Sequence, residues 1–299
     1  MGTVLGRISR RRPGPGGRGG ADGVVALRHP GQWVLAALAL LFVAVVVRAF
    51  AASPNIEWSV VGDYLFSGTV LTGVGVTVGL TVLSMIIASL IGLTLAVMRL
   101  SDNRVLRSLS QVYIGFFRGI PVLVLLIFVY NLALVIPELS LGVPFTDITF
   151  AETKTNAAIT PFIAALIGLA FSEGAYMGEV IRAGILAVDR GQTEAALSLG
   201  MKRGYLLRRI TIPQAMRVII PPTANETLAM LKGTALVSVI AGRELLTRAQ
   251  QVSAENYRVV ELLLVATFWY LVLTTIFSVG QHFVEQRYGR GFGPRKESR

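Results

Sequence analysis

The chain has 299 residues, 53% of them hydrophobic and only 15% charged, with a mean hydropathy of +0.64. That composition excludes an ordinary soluble domain and points to segments that live in lipid. The net charge of +11 fits basic loops facing anionic lipid better than nucleic-acid binding, and the lack of cysteine excludes disulfides, thiolate chemistry and Cys-based metal sites.

Residues 1–32, rich in Gly, Arg and Pro, hold too little apolar surface to bury and are expected to form a disordered basic tail. Trp33 to Ala52 is an apolar run long enough to cross a bilayer, which takes about 20 helical residues. Ala49-Phe50-Ala51 also resembles a signal-peptide cleavage site, but the run is long for a signal segment. Five further spans are predicted near 69–99, 110–137, 158–184, 218–242 and 258–286. A second basic tail follows over 288–299. The fifth span is the least apolar because it holds Glu226 and Lys232. Gly73, Gly75, Gly79, Gly92 and Gly168 are expected to mark close helix contacts, since small residues let backbones approach in lipid. The fold expected is an all-α integral membrane protein of about six transmembrane helices.

Charge bias orients these spans. The stretches 1–32, 99–118, 182–217 and 283–299 hold 22 of the 28 Lys and Arg residues, whereas the loop at 138–157 carries Glu138, Asp147 and Glu152 against Lys154. The positive-inside rule then puts both termini, and the polar stretch around Glu194, in the cytoplasm. His29 and His282 lie in basic flanks and are read as solvated.

The polar stretch has its own local logic. Gly191-Gln192-Thr193-Glu194 reads as a helix start, with Thr193 as the cap and Glu194 in the first turn, where a carboxylate suits the helix dipole. Ala195 and Ala196 are small enough for another surface to approach. Gly200 ends this helix. A second helix follows from Met201, with Leu206, Leu207 and Ile210 on one face, and Pro213 is expected to interrupt it.

Glu194-Ala195-Ala196, three residues, Gly200, nine residues, Ile210, one residue, then Ile212-Pro213: this spacing resembles the "EAA" loop of ABC-importer permeases, with Ile212 where that family usually has Leu. An ordinary basic surface loop is the plainer alternative. The resemblance implies that residues 191–213 form a coupling helix that sits in a cleft of a separate ATPase and moves when the ATPase dimer closes. The chain contains no Gly-x-x-x-x-Gly-Lys-Ser/Thr run, so ATP and magnesium are expected on the partner, with no cofactor or metal on this chain and no enzymatic activity of its own.

Four further stretches narrow the resemblance to the polar amino-acid permeases of the histidine/glutamine/glutamate/arginine type. They are Gly75-Val76-Thr77-Val78-Gly79-Leu80-Thr81, Phe116-Phe117-Arg118-Gly119-Ile120-Pro121, the run from Ser172 to Ile185, and Asn225-Glu226 with Leu231 to Ile240. The resemblance covers most of 65–287 and implies a five-helix core, so the tail and Trp33–Ala52 are an N-terminal addition. It also implies a second permease (itself or a sister chain), two ATPase subunits, an extracytoplasmic binding protein and the bacterial cytoplasmic membrane.

An amino acid carries both an ammonium and a carboxylate, so its path needs groups of both signs. The intramembrane charges are Glu173, Glu179, Arg182, Glu226, Lys232 and Glu261. Arg118 is placed to meet a carboxylate and Glu173 or Glu179 an ammonium, with Thr77, Thr81, Ser172 and Tyr176 as neutral partners. Lys232 completes the candidate path. Structural roles compete: Glu179 and Arg182 can pair as i, i+3 neighbours, Glu226 and Lys232 can brace the elbow, and Arg118 can anchor a span end. The other functions weighed are an ion-gradient-coupled secondary transporter, which has no use for a docking elbow, and a non-transporting scaffold, which gains nothing from buried polar residues.

Overall fold

The computed structural model describes residues 30–142 and 149–288. The expected tails over 1–32 and 288–299 lie outside the described residues apart from Pro30–Gln32 and Tyr288, as does Asp147. The chain divides between Asn55 and Ile56. The first unit holds α1 (Pro30–Ala51), which is apolar from Trp33 to Val47 and carries Arg48 in its last turn. Its 22 residues rise about 33 Å, enough to cross a hydrocarbon core of roughly 30 Å.

The second unit begins with α2 (Trp58–Leu65) and α3 (Gly68–Leu100). Ser67 caps α3 by accepting from the Val70 N–H. Asn103 caps α4 (Arg104–Gly119) by accepting from Val105 and Leu106, and α5 (Val122–Tyr130) follows. The single span predicted over 110–137 is therefore two helices meeting at 98°. The cause is Ile120-Pro121. A residue before proline is pushed out of the helical region, and Ile120 sits at φ −99°, ψ 130°. The loop expected at 138–157 contains an antiparallel hairpin, β1 (Glu138–Gly142) and β2 (Thr149–Lys154), with Glu138 opposite Lys154 and Ser140 opposite Glu152.

After the single turn α6 (Thr155–Ala158), α7 (Pro161–Leu186) starts as its sequence dictates, with Thr160 accepting from the Ile163 N–H and proline in the first position. Next come α8 (Arg190–Ser198), α9 (Arg203–Leu206), one wide π turn (Leu207–Thr211) and α10 (Ile212–Gly233). A 3₁₀ segment (Thr234–Ile240), α11 (Leu245–Asn256) and α12 (Val259–Tyr288) complete the fold.

The fifth predicted span, 218–242, is corrected at both ends. α10 starts six residues earlier and runs through Pro221-Pro222 to Gly233. The ascent finishes only with α11, whose end returns the chain to Arg258, which pairs with Glu57 and Glu261. Hydropathy missed α11 because one of its faces is polar: Arg248, Gln250, Gln251 and Glu255 lie in it. By length and apolarity alone, four described helices can cross a membrane, or five if the bent α4–α5 pair is one crossing.

α7 is the central helix, and its contact with α3 is the most extensive in the protein. The main core joins Leu80, Met85 and Ala88 of α3, Leu126 of α5, Leu169 and Met177 of α7, and Ile219 and Met230 of α10. A second core joins Val70 to Leu245 and Val252 of α11 and Leu262 and Val265 of α12. The α3–α7 approach requires Gly92: a Cβ there would lie 2.6 Å from the Met177 Cβ and 2.8 Å from the Gly178 N. Gly73 and Gly168 likewise face α11 and α5. Gly75 and Gly79 have nothing within 4 Å, so the expectation that they mark contacts does not hold within this chain.

Gly92→Ala is therefore expected to cost about 1–3 kcal/mol of stability by overpacking, read as a lowered unfolding midpoint in detergent, while Gly79→Ala leaves the midpoint in place. An unchanged midpoint for Gly92→Ala would mean that α3 and α7 do not meet at this depth.

Candidate functional site

The first candidate site is the elbow from Asp189 to Pro213. α8 is capped by Asp189, whose Oδ1 accepts from the Gly191 N–H at 2.6 Å, and not by Thr193. The helix therefore starts one turn before the predicted point, and Glu194 stands mid-helix and exposed. Asp189 gives a weak cap signal in the sequence because Gly191, a poor helix former, stands in the first turn after it.

The far end closes as the sequence suggests. Gly200 adopts φ +78°, its N–H donates to Leu197 O at 2.9 Å, and the Met201 N–H donates to Ala196 O at 3.1 Å. This pair of bonds is the Schellman arrangement that glycine in the left-handed region allows. The chain then reverses, and α8 packs on α9 and the π turn. Ala196 is buried in that contact, so of the two alanines only Ala195 faces outward. Glu194, Leu197 and Leu199 project away, with Leu199 84% exposed.

Pro213 does not interrupt the second helix. The π turn immediately before it widens the backbone where the proline ring would meet the carbonyl four residues earlier, and the helix runs on into α10. Ile210 is half-buried, and Pro213 is exposed on a groove of about 470 Å³ shared with Tyr205, Arg208 and Arg209. The elbow is thus continuous with α10, which meets α7 where the Ile219 side chain fills the space beside Gly184.

The second candidate site lies along α7. The Arg118 guanidinium stacks over the Tyr176 ring, 5.0 Å from its centroid. One turn back on the same face, Glu173 meets the carboxyl of Glu226 on α10, and its Oε1 is buried without a hydrogen-bond donor. Glu226 therefore faces α7, and not the elbow that it could alternatively have braced. Ser172 is buried beside Glu173. Tyr113 OH donates to Phe171 O at 3.0 Å, and Tyr113, Phe117 and Phe171 form an aromatic wall.

The remaining candidates separate. Glu179 is held by Arg182 at 2.7 Å and by Arg99 at 3.8 Å, so the i, i+3 pairing is realised and Arg99 joins it. Lys232 is exposed at the end of α10. Thr77 and Thr81 are fully buried: the Thr77 Oγ1 accepts from the Leu245 N–H at 3.1 Å, and the Thr81 hydroxyl donates to Thr77 O at 2.8 Å. Both are satisfied inside the bundle. Glu261 is buried at the opposite end, accepting from the Glu57 N–H at 3.1 Å.

Sequence reasoning missed the most deeply placed carboxylate. Glu244 is fully buried and accepts four hydrogen bonds: from Leu246 N–H at 2.8 Å, Thr247 N–H at 2.7 Å, Thr247 hydroxyl at 2.8 Å and Tyr270 OH at 2.8 Å. It caps α11 at the break after the 3₁₀ segment. The available signal was a Gly242-x-Glu244-x-x-Thr247 pattern, glycine then an acidic cap.

Comparison with known proteins follows this geometry. Residues 88–290 match the family described as "Binding-protein-dependent transport system inner membrane component". An arginine transport system permease protein of Corynebacterium glutamicum is 40% identical over 266 residues, covering 89% of this chain and 82% of the relative. An L-cystine transport system permease protein of Bacillus subtilis is 34% identical over 219 residues, covering 73% and 86%. The crystal structure of an amino acid ABC transporter with histidines superposes with a TM-score of 0.63 at 35% identity, covering 73% of this chain and 94% of the other.

The Glu244 network is expected to hold the broken fifth passage. Tyr270→Phe removes one charge-assisted bond and should cost about 2 kcal/mol, and Glu244→Ala, which strands four donors, should cost more. Thermal unfolding in detergent measures both. Equal stability of Glu244→Ala and the unmodified chain would exclude a holding role.

Proposed function

Because the chain belongs to the family of binding-protein-dependent transport system inner membrane components and is an ABC-importer amino-acid permease, we propose that it carries a polar amino acid across a bacterial cytoplasmic membrane, driven by an ATPase that docks on the Glu194 elbow. The observation that carries this reading is the elbow itself. A short helix closed by Gly200 presents Glu194, Leu197 and Leu199 outward and packs on α9, which continues through the π turn into α10. A partner that moves α8 moves α10, and through Ile219 and Gly184 it moves α7. Packed helices respond to such a push as rigid bodies.

The path reading rests on α7. Glu173 and Glu226 bring two carboxyl groups together with one oxygen lacking a donor, a place that an ammonium or a cationic side chain would complete. Arg118 on Tyr176 supplies the opposite sign one turn away. The relatives that transport arginine and cystine support a polar amino acid as cargo and leave the side chain open. Two ATPase subunits with ATP and magnesium, a second permease and an extracytoplasmic binding protein complete the assembly, with both termini cytoplasmic as the Lys and Arg distribution supports.

In the reconstituted assembly, Glu194→Lys and Gly200→Asp are expected to abolish ATP-driven uptake and binding-protein stimulation of ATP hydrolysis, at unchanged amounts in the membrane. Normal uptake by either variant, or purification of the chain from its own membranes without an ATPase, would remove the docking assignment. Deletion of residues 2–28 is expected to leave uptake intact, measured at matched expression.

A further inference from the structure

α11 presents a contradiction that its surroundings resolve. Its N-terminus is its inner end: Leu245 lies against Gly73 and Thr77, roughly one and a half to two and a half turns inside the end of α3, while Arg258 just past its C-terminus pairs with Glu57 before α2. One face, Leu245, Ala249 and Val252, is buried against α3 and α12. The other exposes Gln250, Gln251, Ala254 and Glu255. A polar helix face beside a bundle that spans a bilayer is costly against lipid and is found facing water or protein.

At the inner end of that face stands Arg243. Its backbone is in the left-handed region at φ 56°, as is Ala241 at φ 54°, a conformation that costs a non-glycine residue about 1–2 kcal/mol and persists only when neighbours enforce it. The enforcing neighbours are present on both sides. A Cβ on Gly242 would fall 2.0 Å from Val237 Cγ1, so only glycine fits, and Glu244 is fixed by its four hydrogen bonds. Glu244 also occupies the α11 N-terminus, which leaves the guanidinium of Arg243 as the cationic group at the break. Arg243 is exposed, forms no ion pair with a described carboxylate, and borders a cavity of about 410 Å³ with Val76, Thr160, Phe162 and Gly242.

We propose that the outer half of the amino-acid path is a water-filled vestibule lined by the exposed face of α11 and closing on Arg243, which receives the carboxylate of the incoming amino acid. The inference rests on the permease reading above and extends it to a site distinct from Arg118 and Glu173. The clamped backbone on both sides fixes the point from which the guanidinium projects, and its fork can meet a carboxylate in a bidentate manner.

The chain has no cysteine, which allows a direct test. In the full assembly in vesicles, Gln250→Cys, Gln251→Cys and, as a lipid-facing control, Ile86→Cys are treated with a charged, membrane-impermeant methanethiosulfonate. Modification at positions 250 and 251 is expected to be at least roughly tenfold faster than at position 86, because a charged reagent is excluded from lipid. Equally slow modification, whether a second permease or lipid covers the face, overturns the vestibule. For Arg243, the variant Arg243→Gly keeps the left-handed backbone and removes the charge. Uptake is expected to fall at least roughly tenfold in Arg243→Gly and Arg243→Gln, with partial recovery in Arg243→Lys. Wild-type uptake by Arg243→Gly, or equal uptake by the Gln and Lys variants, overturns the carboxylate role. If the unmodified assembly shows no ATP-driven uptake, it is the permease reading that fails, and the labelling pattern still decides the vestibule.

Discussion

The close approach of α3 and α7 is the constraint on which the remaining packing depends. In lipid, helices gain little from hydrophobic burial, and association rests on van der Waals contact between surfaces that fit. Gly92 removes a side chain that would hold α3 away from Met177 and Gly178, and Gly174 does the same opposite Ile91. With α7 seated there, its other faces receive α5 through Gly168 and α10 through Gly184, so one helix carries contacts to three others. Every candidate path residue on α7 inherits its position from this arrangement, and so does the polar break beside α11, since Thr77 belongs to the same α3.

Two carboxyl groups within the bundle illustrate how the protein separates structure from work. Glu244 accepts from four donors and has no capacity left for a ligand. It converts a break in the fifth passage, which would otherwise leave helix-end N–H groups unpaired in a dry environment, into a rigid junction. Glu173 is the opposite case. It faces a second carboxyl, and one of its oxygens lacks a donor. A carboxylate in that condition inside a membrane is costly unless a cation completes it, which gives a physical reason for a cationic cargo group to pause there. Glu179 belongs with Glu244, because Arg182 and Arg99 already neutralise it.

The elbow and the break sit at opposite ends of one continuous stretch of chain. α8, α9, the π turn, α10, the 3₁₀ segment and α11 follow one another with short connections. Besides the reversal at Gly200 and the break at Ala241–Glu244, the π turn and the 3₁₀ segment depart from α-helical geometry, and such departures recur where helices bend in function. In the proposed mechanism a displacement delivered at α8 passes through its contact with α9 and the π turn to α10, past Glu226 and toward Arg243. In the proposed mechanism this is how hydrolysis on a partner chain changes access to the path.

The sequence determined the features that depend on local or compositional physics. Apolar runs placed α3, α7 and α12 to within a few residues, because an uninterrupted stretch of that length has no other stable state in lipid. The spacing from Glu194 to Pro213 identified the elbow and its family, and Gly200 was legible as the helix stop because the left-handed turn after a helix selects for it. Tertiary structure decided what composition cannot encode. The 98° bend at Pro121 and the polar helix α11 depend on what the flanking surfaces meet, and a hydropathy window averages over faces that point in different directions. Ala196, read as an outward surface, is inward because α9 folds back on it. Glu226 left the elbow for Glu173, and Thr77 left the path for Leu245, because hydrogen bonding of a buried polar group is settled by residues far away in the chain. Glu244, Arg243 and their clamped turn carry no periodic signal at all. Their roles exist only once α3, α11 and α12 are packed together, since burial, which makes a polar group expensive or useful, is a property of the fold and not of the residue.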